Sequence, residues 1–254
     1  MNTILRKTLL GVLVGGGLLA AHGQAFDSGS TGAYGPINVS AADVTLDVPA
    51  SGIFHATTVN VSGGRTLRFK ANALNTPVTI LATGDVTLSG VISVNGDPGT
   101  QNAPGKGGPG GFDGGVPGSV GTPPGDGQGP GAGRAGENSQ NQDGAGTAAY
   151  ATRPVAGQST RHGNAYGSAL LIPLAGGSGG GGTVGTPGFG GGGGGGALLI
   201  ASSTRIQVNV GARITADGGY NTSPAVHCGS GGAIRLIAPV VAGNGTLQAR
   251  GGAP

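Results

Sequence analysis

VTILATGDVTLSGVISVNG, residues 78–96, contains three short runs in which every second residue is apolar or small, each run closed by Gly, Asp or Asn. Val78, Ile80 and Ala82 share one face of the first run, and Ile92 and Val94 share one face of the last. A period of two marks a strand with one buried side. Two later stretches can be laid over this one: ALLIASSTRIQVNVGARITADG at 197–218 and IRLIAPVVAGNGTLQARG at 234–251. Aligned on their first residues, they put Ala197, Leu199 and Ala201, then Ile234, Leu236 and Ala238, on the inward face. The last runs match too, with Ile214 and Ala216, then Leu247 and Ala249, and the turns Asn95-Gly96, Asp217-Gly218 and Arg250-Gly251 close the units. The middle runs Val86-Thr87-Leu88 and Ile206-Gln207-Val208 agree, while Pro239 blurs their counterpart near Val240.

Three short strands per unit of about 20 residues are what one coil of a parallel β-helix needs. The predicted fold is therefore all-β, a right-handed parallel β-helix (solenoid). A β-sandwich would also have short strands and turns, but it does not call for the same three-strand unit to recur in order. Upstream, Val44, Leu46 and Val48, then Val59 and Val61, then Leu67 and Phe69 alternate in the same way and predict further, less regular coils. An N-terminal cap is expected within Phe26 to Ala50, because a first coil otherwise exposes apolar surface and unpaired edges. The expected divisions are a signal peptide over 1–25, cap and first coils over 26–96, a Gly-rich insertion over 97–195, and C-terminal coils over 196–254.

The insertion stands out by composition. Between Gly96 and Gly196 lie 37 of the 60 glycines, ending in GGSGGGGTVGTPGFGGGGGGG at 176–196. Two readings stay open. Glycine loses more backbone entropy on ordering than any other residue and has nothing to bury, which favours disorder. Alternatively, missing side chains let extended polyproline-II-like strands approach and bond to one another, at three residues per turn. A collagen triplet fails, since the spacing of Gly115, Gly118 and Gly121 is not kept on either side.

Arg6 and Lys7 precede the apolar run Thr8 to Ala21 and the small-residue exit Gly23-Gln24-Ala25, the layout of a secretory signal helix cleaved before Phe26. The run is short for a membrane span, which needs about 20 residues. Removing Arg6 and Lys7 from the 13 basic residues leaves 11 against 10 acidic ones, and the arginines are scattered from Arg65 to Arg250. That balance lacks the basic clustering that nucleic acid or an anionic membrane requires. One cysteine, Cys228, excludes an internal disulfide framework.

Candidate chemistry is sparse. Gly131-Ala132-Gly133-Arg134-Ala135-Gly136 satisfies GxGxxG, but without the strand and helix that give the motif meaning, and a chain this rich in glycine produces it by chance. Lys106 follows Gly105 without the rest of a phosphate-binding loop and reads as a solvated charge. Asp97, Asp113, Asp126 and Asp143 sit where carboxylates and carbonyls could wrap calcium. The Gly-Gly-x-Gly-x-Asp repeat is missing, so they read first as solubilising loop residues. His55, His162 and His227 are too dispersed for zinc. The pair His227-Cys228 invites a thiolate reading, yet neighbours on an extended segment point to opposite faces; a buried or intermolecular thiol fits better. Outward strand positions are Thr79, Thr87, Ser93, Gln207, Thr215, Arg235 and Gln248, and the carboxylates Asp85 and Asp217 lie in turns. A polysaccharide-cleaving site would need a denser carboxylate cluster. No catalytic, cofactor-binding or metal residue is assigned, and the chain is not expected to be an enzyme.

The segments FDSGSTGAYGPINVS (26–40), NTPVTILATGDVTLSGVISVNGDPG (75–99), GGPGGFDGG (107–115), LLIPLAGGSGGGG (170–182), GGGGALLIASS (193–203) and GSGGAIRLIAP (229–239) resemble a group of glycine-rich exported bacterial proteins. The resemblance implies a β-helical scaffold with a Gly-rich insertion and an extracellular or cell-surface address, and carries no catalytic residues. Mycobacterial PGRS proteins are similar in glycine content, but their N-terminal helical domain has no counterpart here. Longer members of the group continue past the equivalent of Gly252, so a truncated C-terminus is expected. The function expected is a secreted or surface-displayed structural or adhesive protein that binds extracellular polysaccharide or itself, with no nucleic-acid partner and no stable membrane insertion. The alternatives are a polysaccharide lyase or hydrolase on the same scaffold, and an ice- or crystal-surface binder, for which the Thr spacing is too irregular.

Overall fold

The computed structural model describes residues 25–137, 144–154, 160–220 and 227–253. The expected signal peptide, apart from Ala25, and Asp143 lie outside them. The chain is all-β, with thirteen strands in two parallel sheets and no helix among the described residues. The larger sheet contains β1 (Gly35–Val39), β3 (Ile53–Val61), β5 (Val78–Ala82), β6 (Val86–Leu88), β8 (Ala197–Ser202), β9 (Arg205–Val208), β11 (Ala233–Ile237) and β12 (Val240–Ala242). The smaller contains β2 (Val44–Asp47), β4 (Thr66–Lys70), β7 (Val91–Ser93), β10 (Arg213–Thr215) and β13 (Thr246–Gln248).

The repeat read from the sequence is the pairing unit. β5, β6 and β7 pair in parallel with β8, β9 and β10, which pair in turn with β11, β12 and β13. On the other side, β3 pairs with both β5 and β6, and β4 pairs with β7. Alternation points one row of each strand inward. Val59, Val86 and Ile206 stack in one column and Leu67, Ile92 and Ile214 in another, all fully buried. Each such side chain contributes about 1.5–3 kcal/mol on leaving water. Pro239 does not prevent a middle strand in the last unit: β12 forms directly after it, with Val241 opposite Ile206. Here Val241 and Leu247 stand half exposed, because β12 and β13 are the outermost strands.

One register differs from expectation. Val78 pairs with Leu198 and Ile80 with Ile200, so the inward row of β8 is Leu198, Ile200 and Ser202, one residue out of step with Ala197, Leu199 and Ala201. Leu199 instead lies between Thr79 and Arg235 on the outward face. A run as uniformly apolar as ALLIA has no alternation to choose a face, and a slip of one residue inverts every side chain.

The segment before β1 runs across the strands. Ser28 Oγ donates to the Ala82 carbonyl and Ser30 Oγ to the Ala56 carbonyl, each at 2.8 Å, and Ser28 N donates to Ser203 Oγ at 3.0 Å. It thus fastens the ends of β5 and β8 to the middle of β3, while β1 and β2 form the outer edge. Tyr34 closes this segment with its ring edge-on to Phe54, centroids 5.3 Å apart.

The described residues of the 97–195 stretch take the ordered reading. Gly177, Gly180 and Thr183 donate their N–H groups to the carbonyls of Gly195, Gly192 and Phe189, at 2.7–2.9 Å. Phe112, Gly115 and Gly118 donate to Gly177, Gly180 and Thr183, at 2.8–3.0 Å. Bonds recurring at every third residue have the polyproline-II period. The chains bond to neighbours on several sides, which a pleated sheet cannot do. A Cβ on Gly191 would collide with the carbonyl of Gly180, and one on Gly111 would lie 2.6 Å from the carbonyl oxygen of Gly195. The bundle joins the β stack directly: past β7, Gly96 N donates to Asp217 O at 2.8 Å, and past β10, Gly218 N donates to Arg250 O at 2.9 Å. Asn75, in the left-handed region at φ 48°, pins the outside of the junction, donating to Gly111 O at 2.6 Å and accepting from Gly110 N at 3.0 Å.

Candidate functional site

Two surfaces bring polar side chains together on rigid backbone. The first follows from strand register. Asn38 lies opposite Asn60, Asn60 opposite Thr87, and Thr87 opposite Gln207, forming one outward column across β1, β3, β6 and β9. Asn60 Nδ2 donates to Asn38 Oδ1 at 3.0 Å, and Arg205 donates to Gln207 Oε1 at 2.5 Å. Neighbouring strands lie about 4.8 Å apart, so the column presents amide and hydroxyl groups at a constant interval. In the smaller sheet Thr45, Arg68, Ser93, Thr215 and Gln248 form the corresponding column. Thr215, expected to face outward into solvent, is buried. Gln248 explains this: it accepts from Arg213 and donates to Asp217, so its side chain bridges the residues on either side of Thr215 and covers it.

The second surface lies where the bundle meets β4. Asp97 N donates to Lys106 O at 2.7 Å, Lys106 Nζ reaches Asp113 Oδ2 at 2.7 Å, and Gln128 N donates to Asp113 O at 2.9 Å. Asp97, Lys106, Asp113 and Gln128 therefore stand side by side on adjacent chains of the bundle. With Phe69, Lys70, Asn72, Asn75, Asn95 and Phe112 they line a cleft of about 520 Å³. Asp113 is fully engaged, since Gly107 N donates to its other oxygen at 2.9 Å. Asp97 accepts no side-chain hydrogen bond from the described residues. Burial, and then the Asp113 carboxylate, hold its carboxyl above the ordinary value, while the hydrogen bond and charge of Asp113 raise the Lys106 ammonium. Lys106, expected as a solvated loop charge, is exposed but ion-paired.

The other sequence candidates are structural. Asp126 lies in a different cleft and accepts from Ala135 N at 2.6 Å. Among the described residues no three of His, Cys, Asp and Glu gather as metal ligands. His55 Nδ1 accepts from Thr31 N at 3.3 Å and His162 Nδ1 from Thr147 N at 3.1 Å. His227 and Cys228 are buried, and their carbonyls accept from Gly192 N and Ala148 N, which makes them part of the bundle's interior. The GxGxxG segment cannot cradle a phosphate, because Gly133 N and Gly136 N are spent on Gly179 O and Gly182 O. Asp85 accepts from Thr204 Oγ1 at 2.5 Å and Asp217 from Arg250 N at 2.8 Å, both bracing turns between coils. No helix of the described residues is long and apolar enough to cross a membrane. The cleft is the feature sequence reasoning missed; its only trace there is the placing of charged residues in a stretch otherwise almost without side chains.

No protein-family model matches the chain, and no curated protein or solved structure was found to be similar to it.

Proposed function

We propose that the chain is an exported structural and adhesive protein of the outer cell surface or extracellular space, built as a right-handed parallel β-helix with the glycine bundle joined to its side, and that its outward polar face holds neutral polysaccharide. The observation that carries this reading is the column Asn38, Asn60, Thr87, Gln207, in which amides and a hydroxyl repeat at the strand spacing. Such groups donate and accept at once, as sugar hydroxyls do, and a sheet holds them in place before any ligand arrives. The near balance of 11 basic and 10 acidic residues after Phe26 favours a neutral polymer over an anionic one.

The test is to mix the purified chain from Phe26 onward with neutral and acidic polysaccharides, recording retention and release of new chain ends. Retention of neutral polymers without release supports the reading. It fails if the chain ignores every polymer, or if, in a chain that already carries Asp97→Asn, retention is unchanged by Asn60→Ala combined with Gln207→Ala. A second reading, a carbohydrate-active enzyme, draws on Asp97, whose raised carboxyl beside the ionic pair of Asp113 and Lys106 has the asymmetry of an acid and base pair. Release of chain ends that stops in Asp97→Asn would favour it.

A further inference from the structure

We infer that the cleft between β4 and the glycine bundle is a separate binding site for one uncharged pyranose residue, made by Asp97, Lys106, Gln128 and Asn95 around the ring of Phe112. Free hydrogen-bonding capacity converges there. The Asp97 carboxylate is an open acceptor. Lys106 Nζ spends one donor on Asp113 and keeps two. Asn95 uses its oxygen to accept from Asp217 N at 2.9 Å, so its NH₂ remains for a ligand. Gln128 adds an amide, and Phe112, half-buried, adds an apolar wall of the kind that takes the C–H face of a sugar.

The arrangement of charge selects the ligand class. Asp97 and Asp113 share the cleft with Lys106 and Lys70, Lys106 paired with Asp113 and Lys70 with Asp47 outside it, so no cluster of like charge is left there to hold an anion or a cation. Lys106 sits on Asp113 at 2.7 Å, where it would oppose a metal ion. Vicinal hydroxyls meet the need, one donating to Asp97 and its neighbour accepting from Lys106 or an amide. A volume of about 520 Å³ falls in the range of small-ligand sites. The walls are also fixed in advance: Asp97, Lys106 and Gln128 are tied to neighbouring chains by their own backbone groups, and Asn75 holds the Gly110–Gly111 turn against the stack.

This site shares the ligand class proposed above but not the surface, and the two fail separately. Titrate the chain from Phe26 onward with neutral gluco-, manno-, galacto- and xylo-oligosaccharides by calorimetry, once as it stands and once with the column silenced by Asn60→Ala and Gln207→Ala, then repeat both with Asp97→Asn and with Gln128→Ala. The expected result is binding of at least one neutral oligosaccharide that Asp97→Asn weakens about tenfold, as loss of a hydrogen bond to a charged group does. Gln128→Ala weakens it less, and the binding that remains when Asn60→Ala and Gln207→Ala silence the column keeps its dependence on Asp97. Asp97→Asn keeps the shape of the side chain, and a melting curve verifies that the variant folds. Three results overturn the inference: no neutral oligosaccharide binds, binding is indifferent to Asp97→Asn, or the cleft takes up calcium in a manner that Asp97→Asn abolishes.

Discussion

The β stack and the glycine bundle share one chain and one junction, yet they exclude water by opposite means. In the stack, backbone bonds run only along the axis, and the space between sheets is filled by Phe54, Leu67, Ile80, Ile92, Ile200 and their neighbours. In the bundle, backbone bonds radiate to several neighbours, and the interior is the backbone itself. One region is held by what its side chains fill, the other by what they leave empty. The same substitution should therefore do opposite things to packing in the two regions and damage both.

Alanine is the sharpest probe of that contrast. Ile200→Ala leaves a cavity in the stack and should cost about 2–5 kcal/mol in urea unfolding. Gly191→Ala drives a methyl into the carbonyl of Gly180 and should cost about 3 kcal/mol, at the top of the overpacking range, because no flexible side chain can yield. Equal stability for Gly191→Ala and the parent would break the account of the bundle. A smaller effect probes the phenol that anchors the bundle's outer chains. Tyr166 Oη donates to Gly176 O at 2.6 Å, and burial, partly offset by Ser178, pushes the phenol up to about 12. A folded value above the ordinary 10.0 means stability fully present below about pH 10 and lost as pH rises towards 12. Tyr166→Phe should lose about 1 kcal/mol at neutral pH and show less of this alkaline slope in pH-dependent unfolding. The smallest effect belongs to Asp97. Its raised carboxyl favours the fold at acid pH and loses that advantage as pH rises through its folded value. Asp97→Asn should thus melt slightly higher than the parent at neutral pH and no higher at pH 3. A lower melting point at neutral pH would contradict the direction of the shift.

How much of this could be read in the sequence divides along the same line. Side chains carry the pattern, so the stack was legible: Val78 and Ile80, Val86 and Leu88, Ile92 and Val94 announced their faces, and the later units repeated them. It failed where side chains stopped discriminating, at the uniformly apolar Ala197 to Ala201, and at Thr215, whose burial depends on a glutamine from the next coil. In the bundle no side chain marks which chain neighbours which. The pairing of Asp97 with Lys106 and of Asp113 with Gln128 is written in backbone hydrogen bonds alone, and composition allowed disorder as readily as order. The cleft was hidden for that reason, although each of its charges was visible.

The hydroxyl of Ser202 donates to the carbonyl of Gly84 at 2.9 Å across 118 residues of sequence. The step from β5–β7 to β8–β10 is thus remote along the chain, whereas the steps on either side, from β3 and β4 to β5–β7 and from β8–β10 to β11–β13, close over much shorter stretches. Contact order this high belongs to slow folders, milliseconds to seconds or longer for non-local β topologies. The closure entropy grows only slowly with loop length, but the intervening glycines must also surrender their freedom at the same step. Ordering of the bundle and closure of this central step should be kinetically locked together, because both wait on the same long excursion.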